Sequence, residues 1–220
     1  MLFVFVFLSV LIIGITLFVN LHPTFGGNPS KEDKELYSRF ENYANGKFTN
    51  QIPTNMNMSV GTIFSLIKDS VIGSKDRNPK RPIDISAIDW DKINYTEDSM
   101  IWFGHSTFFF NLDGKKILLD PMFGPSPSPV PLVGSKRYSK DLLNMIDELP
   151  PIDAVLITHD HYDHLDYPSI LRLKDKVGHF FVPHGVAAHL ERWGVKSEKM
   201  SELNWWDEIE WQGLTIASVP

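Results

Sequence analysis

The sequence predicts an α/β protein whose folded domain follows an amino-terminal membrane helix. Three observations lead to this prediction. Residues 1–19 contain no charged side chain. From residue 83 onward, short apolar strands alternate with helical patterns, which is typical of a layered α/β architecture. Residues 159–164 hold a dense group of His and Asp side chains, directly after an apolar strand.

The composition sets limits on the class of protein. With 43% hydrophobic and 22% charged residues, the chain of 220 residues has the composition of an ordinary folded protein. A net charge of −6 argues against a general nucleic-acid binder, which would be basic. The absence of cysteine excludes disulfides and thiolate zinc sites. Any metal site must therefore use histidine and carboxylate ligands.

The amino-terminal segment is long enough to cross a membrane. Residues 1–19 are apolar throughout, and such a length just spans a hydrocarbon core. A cleaved signal peptide is the alternative, but it would need basic residues before the apolar run and a small-residue cleavage site after it. We therefore expect a single-pass membrane anchor. Because acidic residues surround Lys31 and Lys34, the charges leave the side of the membrane open.

Between the anchor and the domain, the sequence predicts a linker and a helical extension. Ser30 is placed to cap a helix over residues 31–43, and apolar spacing indicates a second helix over residues 60–72. The charged, Pro-rich residues 75–82 form the best internal boundary. The chain thus divides into an anchor, a linker with a helical extension, and an α/β domain, at residues 1–19, 20–82 and 83–220.

The elements of the α/β domain follow from periodicity and turn signals. Strands are expected at residues 99–103, 107–112, 116–119, 153–158, 179–182, 208–211 and 214–219. Helices are expected at residues 139–149, 167–174 and 185–193. Asp113-Gly114 is a hairpin signal between two of the strands. The Gly, Pro and Ser-rich loop at residues 121–131 is too long to be a mere connection.

The spacing of donors in residues 159–164 fits two metal ions. His159 and His161 lie two residues apart, so in an extended turn both rings can face the same ion. Asp163 and His164 follow and can face a second ion. Two ions about 4 Å apart can activate a bridging water and clamp the oxygens of an ester, amide or phosphodiester. Asp163 can also take a proton from that water or give one to the leaving group.

Other polar residues near this cluster are less expected to be metal ligands. Asp160 and Asp166 are expected to support the loop or to form turns. For His105 two interpretations remain open. It either supports the metal site or faces the substrate, or it is an ordinary structural histidine. Ser106 is not expected to be a nucleophile, because no nucleophile-elbow pattern surrounds it.

The arrangement His159-x-His161-x-Asp163-His164 resembles the hallmark of the metallo-β-lactamase superfamily. Asp120, at the end of an expected strand, resembles the superfamily carboxylate that supports the metal loop. The resemblance implies an αββα sandwich, of which this chain forms the first half. It also implies two zinc ions, with other divalent metals left open.

Further motifs narrow the resemblance to one family. In their order along the chain they are His22-Pro23-x-Phe25-Gly26-Gly27, Gly46-Lys47-Phe48-x-Asn50, Trp102-x-Gly104-His105-Ser106, Leu119-Asp120-Pro121, Trp193-Gly194 and Trp205-Trp206-Asp207. Together they resemble the N-acyl phosphatidylethanolamine-hydrolysing phospholipase D family. This implies a zinc-dependent phosphodiesterase that acts on a membrane phospholipid and releases phosphatidic acid and an N-acyl ethanolamine.

The carboxyl-terminal end departs from the superfamily pattern. A third His, a bridging carboxylate and a last His would be needed, and the sequence ends at Pro220. His179, His184 and His189 are poor substitutes, since two of them are five residues apart and do not share a helix face. We therefore expect an incomplete chain that binds metal weakly and is a poor catalyst by itself.

Two alternatives remain beside the phospholipase reading. One is a hydrolase of the same fold that acts on another ester, a lactone or another phosphodiester. The other is a non-catalytic, membrane-tethered domain. An apolar channel beside the metals would favour a lipid substrate, and bound metal with turnover would exclude the non-catalytic reading. The sequence leaves open the metal identity, the acyl preference and the oligomeric state.

Overall fold

A six-stranded mixed sheet is the centre of the α/β domain. In this computed structural model, the described residues are 2–52, 59–73, 78–95, 98–130 and 135–220. The six strands of the sheet lie side by side in their order along the chain. These strands are β3 (Ser99–Gly104), β4 (Thr107–Leu112), β5 (Lys115–Leu119), β6 (Ile152–Leu156), β7 (Val177–Pro183) and β8 (Met200–Leu203).

The direction of the strands changes in the middle of the sheet. β3, β4 and β5 are antiparallel neighbours, whereas β5, β6, β7 and β8 run parallel. The β4–β5 hairpin turns at Asp113 and Gly114, which both have positive φ, at 47° and 73°. Because β5 and β6 are parallel neighbours, their carboxyl ends meet at one edge of the sheet. That edge carries the His and Asp cluster.

Helices cover one face of the sheet. They are α5 (Met145–Glu148), α6 (Tyr167–Leu173) and α7 (Ala187–Arg192). Residues from these helices, such as Ile146, Ile170 and Leu190, pack against Val155 and Phe180 of the central strands. All five side chains are fully buried. This packing is the main hydrophobic core, and the burial of such apolar surface is the principal stabilising contribution to the fold.

A second hairpin packs on the opposite face. β9 (Glu208–Trp211) pairs with β10 (Leu214–Ala217). Side chains of this hairpin contact Ile117, Ala154 and Phe181. The residues next to these in the three strands, Leu118, Val155 and Phe180, belong to the main core on the other face. Both faces of the sheet are therefore apolar, as expected for strands that are covered on two sides. The predicted α/β fold class is confirmed.

The amino-terminal helix α1 (Leu2–Leu21) is apolar and exposed along its whole length. It has 20 residues and a mean hydropathy of 3.0, and none of them is buried. A 3₁₀ turn (Pro23–Phe25) follows, then α2 (Lys31–Tyr37), whose Ser30 and Asp33 form a capping box. Two further helices, α3 (Val60–Ile72) and α4 (Trp90–Tyr95), precede the sheet.

Several element predictions differ from the structure. The helix expected over residues 31–43 ends at Tyr37, and a small hairpin of β1 (Tyr43–Ala44) and β2 (Lys47–Phe48) follows. Its turn is Asn45-Gly46, both with positive φ, a hairpin signal that the sequence prediction missed. The loop expected over residues 46–57 therefore contains a strand, and residues 53–58 lie outside the described part.

The helix expected over residues 139–149 is also shorter than predicted. Asp141 has a left-handed backbone with φ 58°, so a 3₁₀ turn (Leu142–Asn144) leads into the four-residue α5. The sequence prediction missed α4 and β8 altogether. The expected boundary at residues 75–82 lies partly outside the described residues, because 74–77 are not described. By contrast, the helix expected over residues 60–72 is present with the same ends.

Candidate metal centre

The candidate metal loop begins where β6 ends. Ile157 still donates a backbone hydrogen bond to the carbonyl of Phe181 on β7, at 3.0 Å, and the chain then leaves the sheet. The loop from Thr158 to His164 turns back on itself, because the amide of His164 donates to the carbonyl of His161 at 2.9 Å. The donors are thus presented at the carboxyl edge of the parallel strands, where α/β proteins place their sites.

Asp120 supports the loop from the neighbouring strand. Its side chain is 2% exposed, and its backbone is left-handed with φ 43°. One carboxylate oxygen accepts from the amide of Thr158 at 2.7 Å, and the other accepts from the Thr158 hydroxyl at 2.8 Å. The second oxygen also lies 2.8 Å from Nδ1 of His164. The carboxylate therefore orients both ends of the loop.

The three loop histidines lie close together. The ring centroid of His159 lies 4.6 Å from that of His161 and 3.9 Å from that of His164. Burial lowers the pKa of His159, and the neighbouring His164 and His161 lower it further. His159 is therefore more readily neutral than a free histidine. A neutral imidazole is the form that binds a metal ion.

The second half of the metal loop contacts His105, which lies on the turn between β3 and β4. Nε2 of His105, on the turn after β3, lies 2.9 Å from a carboxylate oxygen of Asp163. Ser106 also donates its hydroxyl to the Asp163 carbonyl at 3.2 Å. One donor atom from each of His105, Asp163 and His164 lies within 4.8 Å of the others, a group that could hold a metal ion.

The ionisation of Asp163 suits a ligand. Burial by itself raises the pKa of Asp163, but a backbone hydrogen bond and the nearby His164 and His105 outweigh it, so the pKa lies below its usual value. The carboxylate is therefore charged at neutral pH. Charged carboxylate and neutral imidazole are donors that zinc accepts, and a carboxylate behind His164 fixes its ring as in known zinc sites. The donor set fits a divalent metal such as zinc.

The two remaining acidic residues of the segment occupy different surroundings. Asp160 is exposed and lies 3.9 Å from Nε2 of His189, and this interaction lowers the pKa of Asp160. Asp166 is buried and caps α6, accepting from the amides of Ser169 at 3.2 Å and Gly124 at 3.0 Å. Burial raises the pKa of Asp166. The geometry gives Asp166 a turn role, as the sequence analysis expected.

The histidines considered as substitute ligands contact other residues. His179 lies 2.9 Å from the Ser201 hydroxyl, near the amino end of β7. His184 lies 3.4 Å from Glu202. His189 lines a cleft together with His161, but its Nε2 faces Asp160.

Two clefts flank the loop. The larger, of about 780 Å³, is lined in part by His105 and Asp163. Its apolar lining includes Ile83, Ile85, Ile88, Ile101, Leu142 and Met145. The smaller, of about 420 Å³, lies between the loop and the segment that follows α1. Both volumes fall in the range of small-molecule sites.

Sequence reasoning missed two residues that shape this region. The Thr158 side chain connects Asp120 to His159, with its hydroxyl 2.9 Å from Nδ1 of His159. Arg137 is half-buried and donates to the carbonyls of Phe103, Gly124 and Met122. Burial lowers the pKa of Arg137. The position of Thr158 just before the cluster was a usable signal, whereas nothing near Arg137 in the sequence distinguishes it.

The fold and the loop are similar to those of the metallo-β-lactamase superfamily. Residues 115–220 match the family model described as the beta-lactamase superfamily domain. These residues include every donor of the loop and Asp120. The resemblance to this superfamily, which the sequence motifs indicated, is confirmed.

Individual relatives make the comparison more specific. An uncharacterized protein of Mycobacterium tuberculosis is 33% identical over 181 residues, which are 81% of this chain and 48% of that protein. The N-acyl-phosphatidylethanolamine-hydrolyzing phospholipase D 1 of Caenorhabditis elegans is 33% identical over 52% of this chain and 34% of its own length. A UPF0173 metal-dependent hydrolase of Sulfurisphaera tokodaii is 32% identical over 53% of this chain and 46% of its own. The chain thus spans about half the length of the mycobacterial relative.

Proposed function

We propose that this chain is part of a membrane-anchored, zinc-dependent phosphodiesterase of the phospholipase D type, which hydrolyses N-acyl phosphatidylethanolamine or a related phospholipid. The observation that carries the proposal is that Asp163 of the metal loop and His105 line the same large cleft as a group of apolar side chains. The nematode relative is named for the hydrolysis of N-acyl phosphatidylethanolamine, which favours the same substrate class.

The roles of the loop residues follow from their positions. His159 and His161 would hold one ion, and Asp163 and His164 the other, with Asp120 behind them. Bound zinc would supply a water activated to hydroxide and positive charge for the phosphodiester oxygens. Asp163 is charged at neutral pH and is therefore able to receive a proton at its carboxylate. His105 holds the same carboxylate through its ring nitrogen.

The apolar cleft supports a lipid substrate. His105 and Asp163 line this cleft, and most of its lining surface is apolar. Burying acyl methylenes against such walls contributes roughly 0.8 kcal/mol per group. A substrate with acyl chains would gain binding energy there, while its phosphate lies near the loop. The helix α1 favours the same reading, since a membrane anchor keeps an enzyme near its lipid.

The test measures zinc content by elemental analysis and headgroup release from vesicles that contain N-acyl phosphatidylethanolamine. We expect His161→Ala in the full-length protein to abolish release while the far-ultraviolet circular dichroism spectrum stays unchanged. His179→Ala, outside the loop, is the matched control and should keep activity. Full activity of the His161 variant would refute the site.

The same assay separates the alternative functions. Turnover of a lactone or simple ester, with no release from phospholipid vesicles, would favour another hydrolase of this fold. Less than about one bound ion per chain, with no turnover of any of these substrates, would favour a non-catalytic tethered domain.

A further inference from the structure

The carboxyl end of α1 is attached to the α/β domain by Arg192. One guanidinium nitrogen of Arg192 donates to the carbonyls of Leu21 at 2.9 Å and Asn20 at 3.3 Å. The other donates to the carbonyl of Gly26 at 2.7 Å. The last carbonyls of a helix lack partners within the helix, and a cation there also interacts favourably with the helix dipole. α1 is thus docked on α7 rather than joined to it by a free linker.

The segment after α1 lies against α7 so closely that it requires glycine. Nε1 of Trp193 donates to the Pro23 carbonyl at 2.7 Å. A Cβ on Gly27 would lie 2.0 Å from the carbonyl oxygen of Ala188, and a Cβ on Gly26 would lie 1.9 Å from Nδ1 of His189. Real Cβ atoms do not come so close to other atoms. The glycine pair therefore has a packing reason, which the sequence motif alone did not reveal.

The same docked segment forms one wall of the smaller cleft. Thr24, Phe25 and Gly26 line it on one side, and the loop residues His161 and Asp163 line it on the other. The segment and the metal loop thus share one opening. Because α7 contacts both, the position of α1 determines where this opening faces.

Simple dimensions place the opening near a bilayer surface. The 20 residues of α1 measure about 30 Å as a helix, which matches a hydrocarbon core. Each headgroup layer adds about 5–7 Å. Thr24, which lines the cleft, follows Leu21 by three residues, and at a rise of about 2 Å per residue in a 3₁₀ turn it lies at most about 6 Å further on. The wall of the cleft is therefore at the level of the lipid headgroups.

We propose that the docked end of α1 fixes the smaller cleft at the membrane interface, so that the metal loop faces the lipid headgroups of the bilayer. The partner of this surface is the headgroup layer itself. The inference rests on the proposed function and deepens it, because it gives the substrate a route to the loop from the bilayer. It also assigns a positioning role to Arg192 and to the Gly26-Gly27 pair.

The test uses single-cysteine variants, which the cysteine-free sequence permits without other changes. A fluorescent label on Pro127→Cys reports on the side of the domain that carries the smaller cleft, since Pro127 is exposed and lines both clefts. A label on Asp175→Cys reports on the opposite edge of the sheet, near the start of β7. The full chain is reconstituted in phosphatidylcholine vesicles that contain a headgroup-linked quencher.

We expect strong quenching at position 127 and little at position 175. Adding Gly27→Ala should reduce the quenching at position 127, because the new Cβ would push the segment away from Ala188. Gly61→Ala is the matched control, since a Cβ there meets nothing closer than 3.7 Å, and it should leave the quenching unchanged.

Equal quenching at the two labels would overturn the proposal, and so would an unchanged signal in the Gly27 variant. Recovery of a protein cleaved after α1, or of a chain that does not associate with vesicles, would overturn it as well. The measurement requires neither bound metal nor turnover. Its failure is therefore distinguishable from failure of the proposed hydrolase, which the zinc and headgroup assays report.

Discussion

The carboxylate of Asp120 accepts hydrogen bonds from both the amide and the hydroxyl of Thr158, at 2.7 and 2.8 Å, although 38 positions separate the two residues. The same carboxylate lies 2.8 Å from Nδ1 of His164. A single buried side chain at the end of β5 thus determines how the loop after β6 presents its donors. Carboxylates behind metal-bound histidines have this effect in zinc sites generally.

The first prediction concerns this carboxylate. Asp120→Asn replaces one acceptor oxygen with an amide that cannot accept from Thr158, so the loop should lose its orientation. We expect zinc affinity to fall by about 10- to 100-fold, the usual effect of removing such a support. Thr158→Val keeps the backbone amide bond and should cost less. Zinc titration against a competing chelator measures both, and unchanged affinity in the Asn variant would contradict the assigned role.

The second prediction concerns the cap of α6. Asp166→Ala removes the acceptor of the Ser169 amide and leaves the buried amide of Gly124 without its partner. Loss of a cap costs about 1 kcal/mol, and an unsatisfied buried donor about 1–3 kcal/mol more. We expect the free energy of unfolding to fall by about 2–4 kcal/mol in urea denaturation. Asp175→Ala, an exposed control, should change it little.

The third prediction compares two leucines on the same helix. Leu173 is fully buried in the main core, whereas Leu171 is 36% exposed. Leu173→Ala should lower the free energy of unfolding by about 2–5 kcal/mol, because it removes apolar contact and leaves a cavity. Leu171→Ala should cost clearly less. Similar losses in the two variants would mean that α6 does not pack on the sheet as described.

The fourth prediction concerns pH. Burial lowers the pKa of His179 below its usual value, so the unfolded chain binds a proton at a higher pH than the folded one. Protonation therefore favours unfolding, and the stability linked to neutral His179 is lost as the pH falls through the unfolded pKa of about 6.5.

The measurement for this prediction is the free energy of unfolding between pH 8 and pH 5. We expect His179→Gln, which stays uncharged, to reduce the fall in stability on acidification. The other histidines contribute the same background to both proteins, so the difference between them isolates His179. An identical pH dependence in the two proteins would show that His179 titrates alike in the folded and unfolded states.

Much of the fold could be predicted because its signals are local. β4 was predicted with its correct ends, because its three consecutive Phe residues favour a strand and the Asp113-Gly114 turn signal bounds it. α3 was predicted with its correct ends. The elements that were not predicted are short and have weak periodicity. β8 has one buried residue, Leu203, and it becomes a strand by pairing with β7 rather than by its own pattern.

The sequence by itself indicated the donor residues of the candidate site. The donors from His159 to His164 are contiguous, so their clustering needs no knowledge of the fold. The tertiary structure decided what supports and surrounds them. His105 meets Asp163 across 58 positions, and Arg192 meets the end of α1 across 171. Such contacts depend on strand order and helix docking, which arise from the burial of the whole core and leave no local pattern in the chain.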